Sequence, residues 1–482
     1  MRSYHRFLYC FAALVLMICF GSNATYSQWA YPRQWNVYPG PDPETTRMFI
    51  QSVIDRARDG DVIYFNRGTY DFSAAPAQYS FQNGGALQII DKSLVIKGAF
   101  GSIIKGSPVV IEPDTGYMIG INCFWILNSD ANKDVTFDGL TFKTFMMGIL
   151  ALHSNNDPVN PIYYSNLRNL VVKNCKFLDI KRNGVACAGM QGNITISNNK
   201  IYGDRASSRM GIYLDWLYQP GMLEWQPGHT LVTITDNSIA GFNYSGILSN
   251  RSSRMQITCN AVSDSGSGII FNVGLKNEAK VSNNTLTDLD SGVRIHAATD
   301  LYNGVTVQNI ARRIRLTYNT LSNLRYAGIF VWGDVAHSNY VAYNKINMTN
   351  PEWGPAIYST GHDEQYMNNI ISGYGTPAVY LGGGDNSADG GPIWGAHHEF
   401  FLNNSVSGFT PNWAPWHYEL DGFTHDNVVI GMRTENATYM DYGINNIFKF
   451  VYPYVSLTMT TSLISPVSAR VQQKSNKEAA TI

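Results

Sequence analysis

The chain has little charge and little imbalance of it. Only 15% of its 482 residues are Asp, Glu, Lys or Arg, and the formal net charge is −1. A nucleic-acid-binding surface needs a basic excess, so nucleic acid is not an expected partner. Cysteine is also scarce, with six in the chain and no CxxC spacing among them. That excludes the usual zinc ribbons and a dense disulfide framework. Cys123, Cys175, Cys187 and Cys259 lie in strand-like contexts and are read as buried, small apolar side chains. Long apolar runs are missing after residue 24, so nothing later in the chain could span a bilayer as a helix.

The first 24 residues do carry an apolar run, from Phe7 to Phe20, behind Arg2, His5 and Arg6 and ahead of Gly21-Ser22-Asn23-Ala24. This is the pattern of a secretory signal. Residues 1–24 are therefore expected to be removed, placing the mature chain outside the cell, in the periplasm or on the cell surface, without a membrane partner. Their loss takes Arg2 and Arg6 with it and leaves 33 basic against 36 acidic side chains.

What the chain has in abundance is repetition. A phrase recurs as Asn198-Asn199-Lys200-Ile201, Asp236-Asn237-Ser238-Ile239, Cys259-Asn260-Ala261-Val262, Asn283-Asn284-Thr285-Leu286, Tyr318-Asn319-Thr320-Leu321, Tyr343-Asn344-Lys345-Ile346, Asn368-Asn369-Ile370-Ile371 and Asn403-Asn404-Ser405-Val406. Successive copies lie 23 to 25 residues apart, or 35 to 38 where there is an insertion. Eight to twelve residues after each comes a second phrase, such as Gly211-Ile212, Gly246-Ile247, Gly292-Val293 or Gly328-Ile329. Two linked phrases at this period indicate one coil of a parallel β-helix, in which no coil buries its apolar face alone and neighbours stack. Each asparagine is expected to turn the chain and bond to the asparagine of the next coil. The glycine is expected to mark a tight start to a strand. The expected fold is all-β: a single right-handed parallel β-helix of ten to twelve coils over residues 36–466, with a flexible tail at 467–482.

Upstream, Glu44 to Arg58 carries Ile50, Val53, Ile54 and Ala57 at helical spacing, followed by Asp61-Val62-Ile63-Tyr64-Phe65 and Gly68-Thr69-Tyr70. A short amphipathic helix there would cover the open end of the solenoid. This order of helix, strand and Gly-x-Tyr turn resembles the start of secreted proteins of the pectate-lyase-like β-helix superfamily. The likeness is one of fold and covers roughly residues 36 to 450. The chain lacks the Asp-Pro-His-Asp of alginate epimerases and the Asn-Thr-Asp, Gly-His-Gly and Arg-Ile-Lys of polygalacturonases. Lys276 followed by Arg294 is similar to the Lys and Arg pair of alginate and chondroitin lyases, but their Arg-His-Gly is Arg294-Ile295-His296 here.

Strand alternation after each Gly-Ile gives two outward columns. One runs Tyr213, Leu248, Ile270, Arg294, Phe330, Tyr358 and Tyr380. The other runs Asp215, Asn250, Asn272, His296, Trp332, Thr360 and Gly382. Insertions at 216–229, 297–309 and 383–396 all follow these strands and would wall a groove. With Trp216, Trp225 and Trp394 in those insertions, the groove is aromatic and suits the apolar faces of sugars. A polysaccharide or oligosaccharide is the expected partner.

Two catalytic constellations follow. Arg294 and His296, with Asn272 and Arg251 nearby, suit β-elimination on a uronate: a base for the proton beside the carboxylate and a cation for the developing enolate. Acids just past the strand ends, Asp300, Asp334 and His362-Asp363 on three successive coils with Asp215 further off, could supply the two carboxyls of a glycoside hydrolase, Asp334 with Asp363 being the favoured pair. A non-catalytic protein that only binds glycan or forms part of a cell surface is the third reading. The adjacent His397-His398-Glu399 is not expected to hold a metal, because neighbours on a strand point to opposite sides. No cofactor is indicated, Ca2+ included.

Overall fold

The computed structural model describes residues 31–449 except 80–83, 113–117, 129–131, 152–166, 189–191, 216–230, 251–253, 273–277, 298, 303–304, 309–310, 334–335, 350–353, 374–376, 386–392, 410–417, 421, 423 and 432–438. Among the described residues two long parallel sheets run from one end to the other, one of fifteen strands and one of nineteen. The first opens with Gln34–Val37 on Val62–Phe65 and closes with Val428–Ile430 on Ile447–Lys449, each strand pairing with the equivalent strand of the next coil. Fifteen strands make about fourteen coils rather than ten to twelve. The difference lies at the two ends, where coils turn without the asparagine phrase that marks the central ones, as at Val62–Phe65 and Leu94–Gly98 upstream and at Val428–Ile430 downstream. The signal and tail regions lie outside the described residues.

One coil illustrates the local logic. Ala279–Ser282 lies in the first sheet, Asn283 turns the chain at φ 58°, and Thr285–His296 follows as one bent strand with a second left-handed residue, Asp288, at φ 56°. Side chains on the inner face stack in columns: Ile257, Val281, Leu316 and Val341 in one, Ile269, Val293, Ile329 and Ile357 in another. All eight are at most 1% exposed. The Ile or Val after each glycine does face the interior.

The asparagine ladder is present, with one correction. The left-handed residue is the one before the ladder asparagine: Asn198, Asp236, Cys259, Asn283, Tyr318, Tyr343, Asn368 and Asn403, at φ 53–59°. The next residue, Asn199 through Asn404, is at most 2% exposed. Its amide nitrogen donates to the amide oxygen of its successor, as in Asn260 to Asn284 at 3.0 Å and Asn284 to Asn319 at 2.9 Å. That oxygen also accepts from a backbone N–H, so both groups are satisfied away from water. Full burial of one Ile or Leu is worth about 1.5–3 kcal/mol, while a net hydrogen bond adds about 1 kcal/mol. The aliphatic columns therefore supply most of the stability, and the ladder sets the register.

The glycines serve another purpose than expected. Gly211 and Gly292 are not left-handed. A Cβ on Gly292 would fall 2.4 Å from Leu321 Cδ2 and 2.5 Å from the Gly328 carbonyl oxygen, so the position has no room for a side chain. At the N-terminal end, the helix is Pro43–Arg56, with the Asp42 carboxylate accepting from the Thr45 N–H at 2.8 Å. Ile50, Val53 and Ile54 face the core. The Gln51 amide pairs with both backbone groups of Gln88, closing that coil's edge.

Across the first sheet lies a second corner. Arg313, Ser338, Asp363, His398 and Asp426 are left-handed there, and each stands five residues before the left-handed residue of the asparagine corner: Tyr318, Tyr343, Asn368, Asn403 and Gly431. The buried residues that follow them include Asn339, Glu364, Glu399 and Asn427.

Candidate functional site

Strand register places the expected columns as read. Tyr213, Leu248, Ile270, Arg294, Phe330, Tyr358 and Tyr380 are successive partners, and so are Asp215, Asn250, Asn272, His296 and Trp332. Exposure divides the columns. Leu248 and Ile270 are buried at 4% and 2%, whereas Arg294, Phe330, Tyr358 and Tyr380 are half-buried and Trp332 is 40% exposed. Thr360 departs from the outward reading: it is buried, and its hydroxyl accepts from the Gly333 N–H at 2.9 Å.

Arg294 and His296 are brought together. The Arg294 Nε–H donates to His296 Nε2 at 3.1 Å, which puts the imidazole proton on Nδ1. Burial and then the guanidinium charge push the imidazole down to a pKa of about 4, so it is neutral at neutral pH. Phe330 lies 5.7 Å from the imidazole and 5.5 Å from the guanidinium carbon, and Trp332 meets the imidazole edge-on at 5.7 Å. Asn272 is the strand partner of His296 one coil back.

Two coils further back, the Tyr213 hydroxyl donates to Asp215 Oδ2 at 2.5 Å, with the Asn250 amide at 3.5 Å. Burial first, and the carboxylate second, raise the Tyr213 phenol. The aromatic column has an orientation that sequence does not disclose. Phe330 and Tyr358 stack at 4.6 Å, and Tyr358 and Tyr380 at 5.4 Å, nearly parallel. Their faces meet one another along the stack, so edges and phenol groups form the floor, and Trp332 is left as the broad exposed ring.

Two antiparallel hairpins, Thr299–Tyr302 with Val305–Gln308 and Gly383–Asp385 with Ile393–Gly395, leave the same edge of the stack. They bracket the two coils that carry Trp332 and Tyr358, a span of roughly 14 Å at the strand spacing. The third expected insertion, with Trp216 and Trp225, lies outside the described residues. So do Arg251 and Asp334, and nothing is described of the side chains of Asp300 and Trp394.

Of the acid pair, only Asp363 is placed. It is exposed, 2.9 Å from His362 Nδ1, and that hydrogen bond holds it below the usual carboxylate range. Beside it runs a column that the sequence reading passed over. His337, His362, His397 and His425 stack at 5.0, 4.9 and 4.7 Å, within 14° of parallel. Their signal was present as a third phrase: His337-Ser338-Asn339, His362-Asp363-Glu364, His397-His398-Glu399 and His425-Asp426-Asn427. His397 and His398 do not point to opposite sides: their rings meet edge to face with centroids 5.1 Å apart, because His398 takes a left-handed turn at φ 55° that breaks the strand alternation, and it is Glu399 that turns inward. Among the described residues no group of three or more His, Cys, Asp or Glu side chains is placed to hold a metal ion.

Cys123, Cys175 and Cys187 are buried free thiols, but Cys259 is exposed because it occupies a left-handed corner position. Among the described residues no helix is long and apolar enough to cross a membrane.

The family described as "right handed beta helix region" matches residues 223–393. Among curated proteins none matches the chain. Of solved structures, the A-module of the mannuronan C-5 epimerase AlgE6 of Azotobacter vinelandii is 13% identical, with 86% of this chain and 96% of that chain covered and a TM-score of 0.48. DFA-IIIase of Arthrobacter chlorophenolicus A6, without its lid and in complex with GF2, is 13% identical over 89% of this chain and 100% of that one, at a TM-score of 0.46. XylC in complex with xylose is 10% identical over 86% of each chain, at 0.44. Such identities say nothing about chemistry. With coil upon coil in parallel register and the matching family over its central third, the chain is a right-handed parallel β-helix protein.

Proposed function

We propose that this protein is a carbohydrate-active enzyme acting outside the cytoplasm, which cleaves a uronate-containing polysaccharide by β-elimination. The observation that carries the reading is the hydrogen-bonded pair of Arg294 and His296 on the groove floor. A neutral imidazole is in the protonation state of a base, and a guanidinium keeps four N–H donors after giving one to His296. A uronate carboxylate gripped by those donors would offset the charge that depresses His296 and draw Arg294 from its lone pair. The imidazole then takes the proton on the carbon beside the carboxylate. That electron pair forms the new C=C bond, the neighbouring C–O bond breaks, and the departing oxygen takes a proton from solvent. Asn272 would steady the carboxylate, and Trp332 would stack on a sugar ring while the edges of Phe330, Tyr358 and Tyr380 and the Tyr213–Asp215 pair line the chain's path.

The test is incubation with uronate-containing and neutral glycans, following the absorbance of unsaturated uronate. Wild type should generate it, and His296→Ala should lose about 100-fold or more of the rate while retaining glycan binding. Arg294→Lys should also be harmful, because a point charge cannot reproduce the two-pronged grip. On the free enzyme, kcat/KM should stay flat with falling pH until about pH 4, where His296 takes up its proton. New reducing ends on saturated products, lost in Asp363→Asn, would identify a hydrolase instead. The ionised state of Asp363 suits a nucleophile or base and not the acid, which leaves that reading one partner short among the described residues. Binding without any product would identify a non-catalytic module.

A further inference from the structure

The outer face of the first sheet changes character in the middle of the stack. One column runs in register through Thr195, Thr233, Gln256, Lys280, Arg315 and Tyr340. The three coils at 254–260, 278–284 and 313–319 carry Arg254, Lys280, Arg313 and Arg315 against Glu278 as their single acid, in a chain whose net charge is −1. All four cations are exposed, and among the described residues none of their side chains forms an ion pair or a hydrogen bond. Lys280 and Arg315 are direct strand partners, an arrangement in which like charges oppose folding.

At the adjoining corner stand Tyr318 and Tyr343, 58% and 45% exposed, in the left-handed column that Asn283 occupies one coil before and Asn368 one coil after. Their rings stack at 5.1 Å, within 7° of parallel, so each keeps one broad face open. That of Tyr318 looks back over the coil of Asn283 and Lys280. Tyr340 lies between the rings and the cations: burial, then the phenols of Tyr343 and Tyr318, raise its pKa, and the Arg315 guanidinium opposes them. Large exposed rings in positions where asparagine serves the fold better are not explained by packing.

We propose that this corner is a second carbohydrate site, separate from the groove, which holds an acidic polysaccharide against the surface. A sugar ring stacks on the open face of Tyr318, and Lys280 and Arg315 take the carboxylates beside it. An acidic polysaccharide needs both parts, because each of its rings carries an apolar face and a carboxylate. Neutral glycan would leave the paired cations without a role. An anionic membrane would use the cations and not the ring faces, and a nucleic acid would meet a chain with no basic excess to attract it. No groove residue takes part, so the proposal stands whether or not the groove cleaves glycan.

The experiment is native electrophoresis of the full chain through gels containing polygalacturonate, alginate, hyaluronan or neutral dextran, in a His296→Ala background so that the polymer survives. At least one acidic polymer should retard the protein more than dextran does, and added salt should relieve the effect. Tyr318→Asn with Tyr343→Asn continues the asparagine column and so keeps the fold, which circular dichroism checks. That variant, and Lys280→Gln with Arg315→Gln, should each weaken retention about tenfold or more, since a polymer held at two places loses one of them. Unchanged retention in both variants overturns the site. So does loss in the Lys280 and Arg315 variant alone, or equally tight binding of single-stranded DNA or of phosphatidylserine vesicles, either of which would mark a site for charge without sugar. Retention that depends on these four residues, with no cleavage by wild type, upholds this site and overturns the groove reading alone.

Discussion

Two corners of the same coil solve one problem with different chemistry. At one, an unbroken run of asparagines from Asn199 to Asn404 passes each amide N–H to the next amide oxygen. At the other, Asn339 gives its backbone and side-chain N–H groups to the two oxygens of Glu364 at 2.9 and 2.8 Å, and one coil on, Ser359 bonds to Glu399. Both glutamates are fully buried. Burial raises Glu364 to a pKa of about 8 and Glu399 well above the usual carboxyl range, the neighbouring Glu364 adding to the latter. An amide ladder is indifferent to pH, whereas a carboxyl ladder holds protons that the unfolded chain would release.

The strongest way to break the comparison is to interrupt the neutral ladder in its middle. Asn284→Ala strips the acceptor from the backbone N–H of Asn260 and the donor from the Ile257 carbonyl oxygen, all in a buried setting. Each orphaned group costs about 1–3 kcal/mol, so a loss of roughly 3–5 kcal/mol is expected in urea unfolding, independent of pH.

The acidic ladder should show the reverse. Glu364 keeps its proton up to about pH 8 when folded and loses it at the ordinary carboxyl value when unfolded, so unfolding releases a proton within that window. Stability is then fullest below the unfolded value, falls as pH rises, and levels off above about pH 8. The slope approaches about 1.4 kcal/mol per pH unit for one such group. Glu364→Gln keeps an acceptor for Asn339 and removes the titration, so melting curves across this range should flatten toward the residual slope of Glu399. An unchanged slope would mean that the corner does not titrate.

The smallest effect sharpens the neutral corner. Cys259 is a non-glycine residue at φ 58°, beside Asp236 and Asn283 in the same left-handed column. Cys259→Asn places a residue that tolerates this conformation and should raise stability by about 1 kcal/mol, read as a higher midpoint in the same urea series.

The asparagine ladder and the outward columns were legible because both rest on rigid arithmetic. The phrase keeps its place in eight successive coils from Asn199 to Asn404, and the column from Tyr213 to Tyr380 keeps its strand register throughout, Thr360 being the exception in the column beside it. The acidic ladder was not, because Asn339, Glu364, Glu399 and Asn427 share no single residue type and the hairpin near 383–395 breaks their spacing. Nor could the sequence say that Asn199 is inward while Asn198 takes the strained turn, since both are asparagine. The Arg294–His296 bond and the face-to-face stacking of Phe330, Tyr358 and Tyr380 depend on rotamers, which spacing does not encode. Leu248 and Ile270 were placed on the correct face, but their burial depends on cover that alternation cannot reveal.

The fixed separation of five residues between the two left-handed corners divides the coil into a part that can vary in length and a part that cannot. One residue deleted between Ser338 and Tyr343 would turn Val341 out of the core and carry Asn344 out of its ladder at once. On the opposite edge, where the chain passes from Trp332 to His337, neighbouring coils already differ by the length of a hairpin. Foreign peptides spliced there would hang from a frame that does not register their presence.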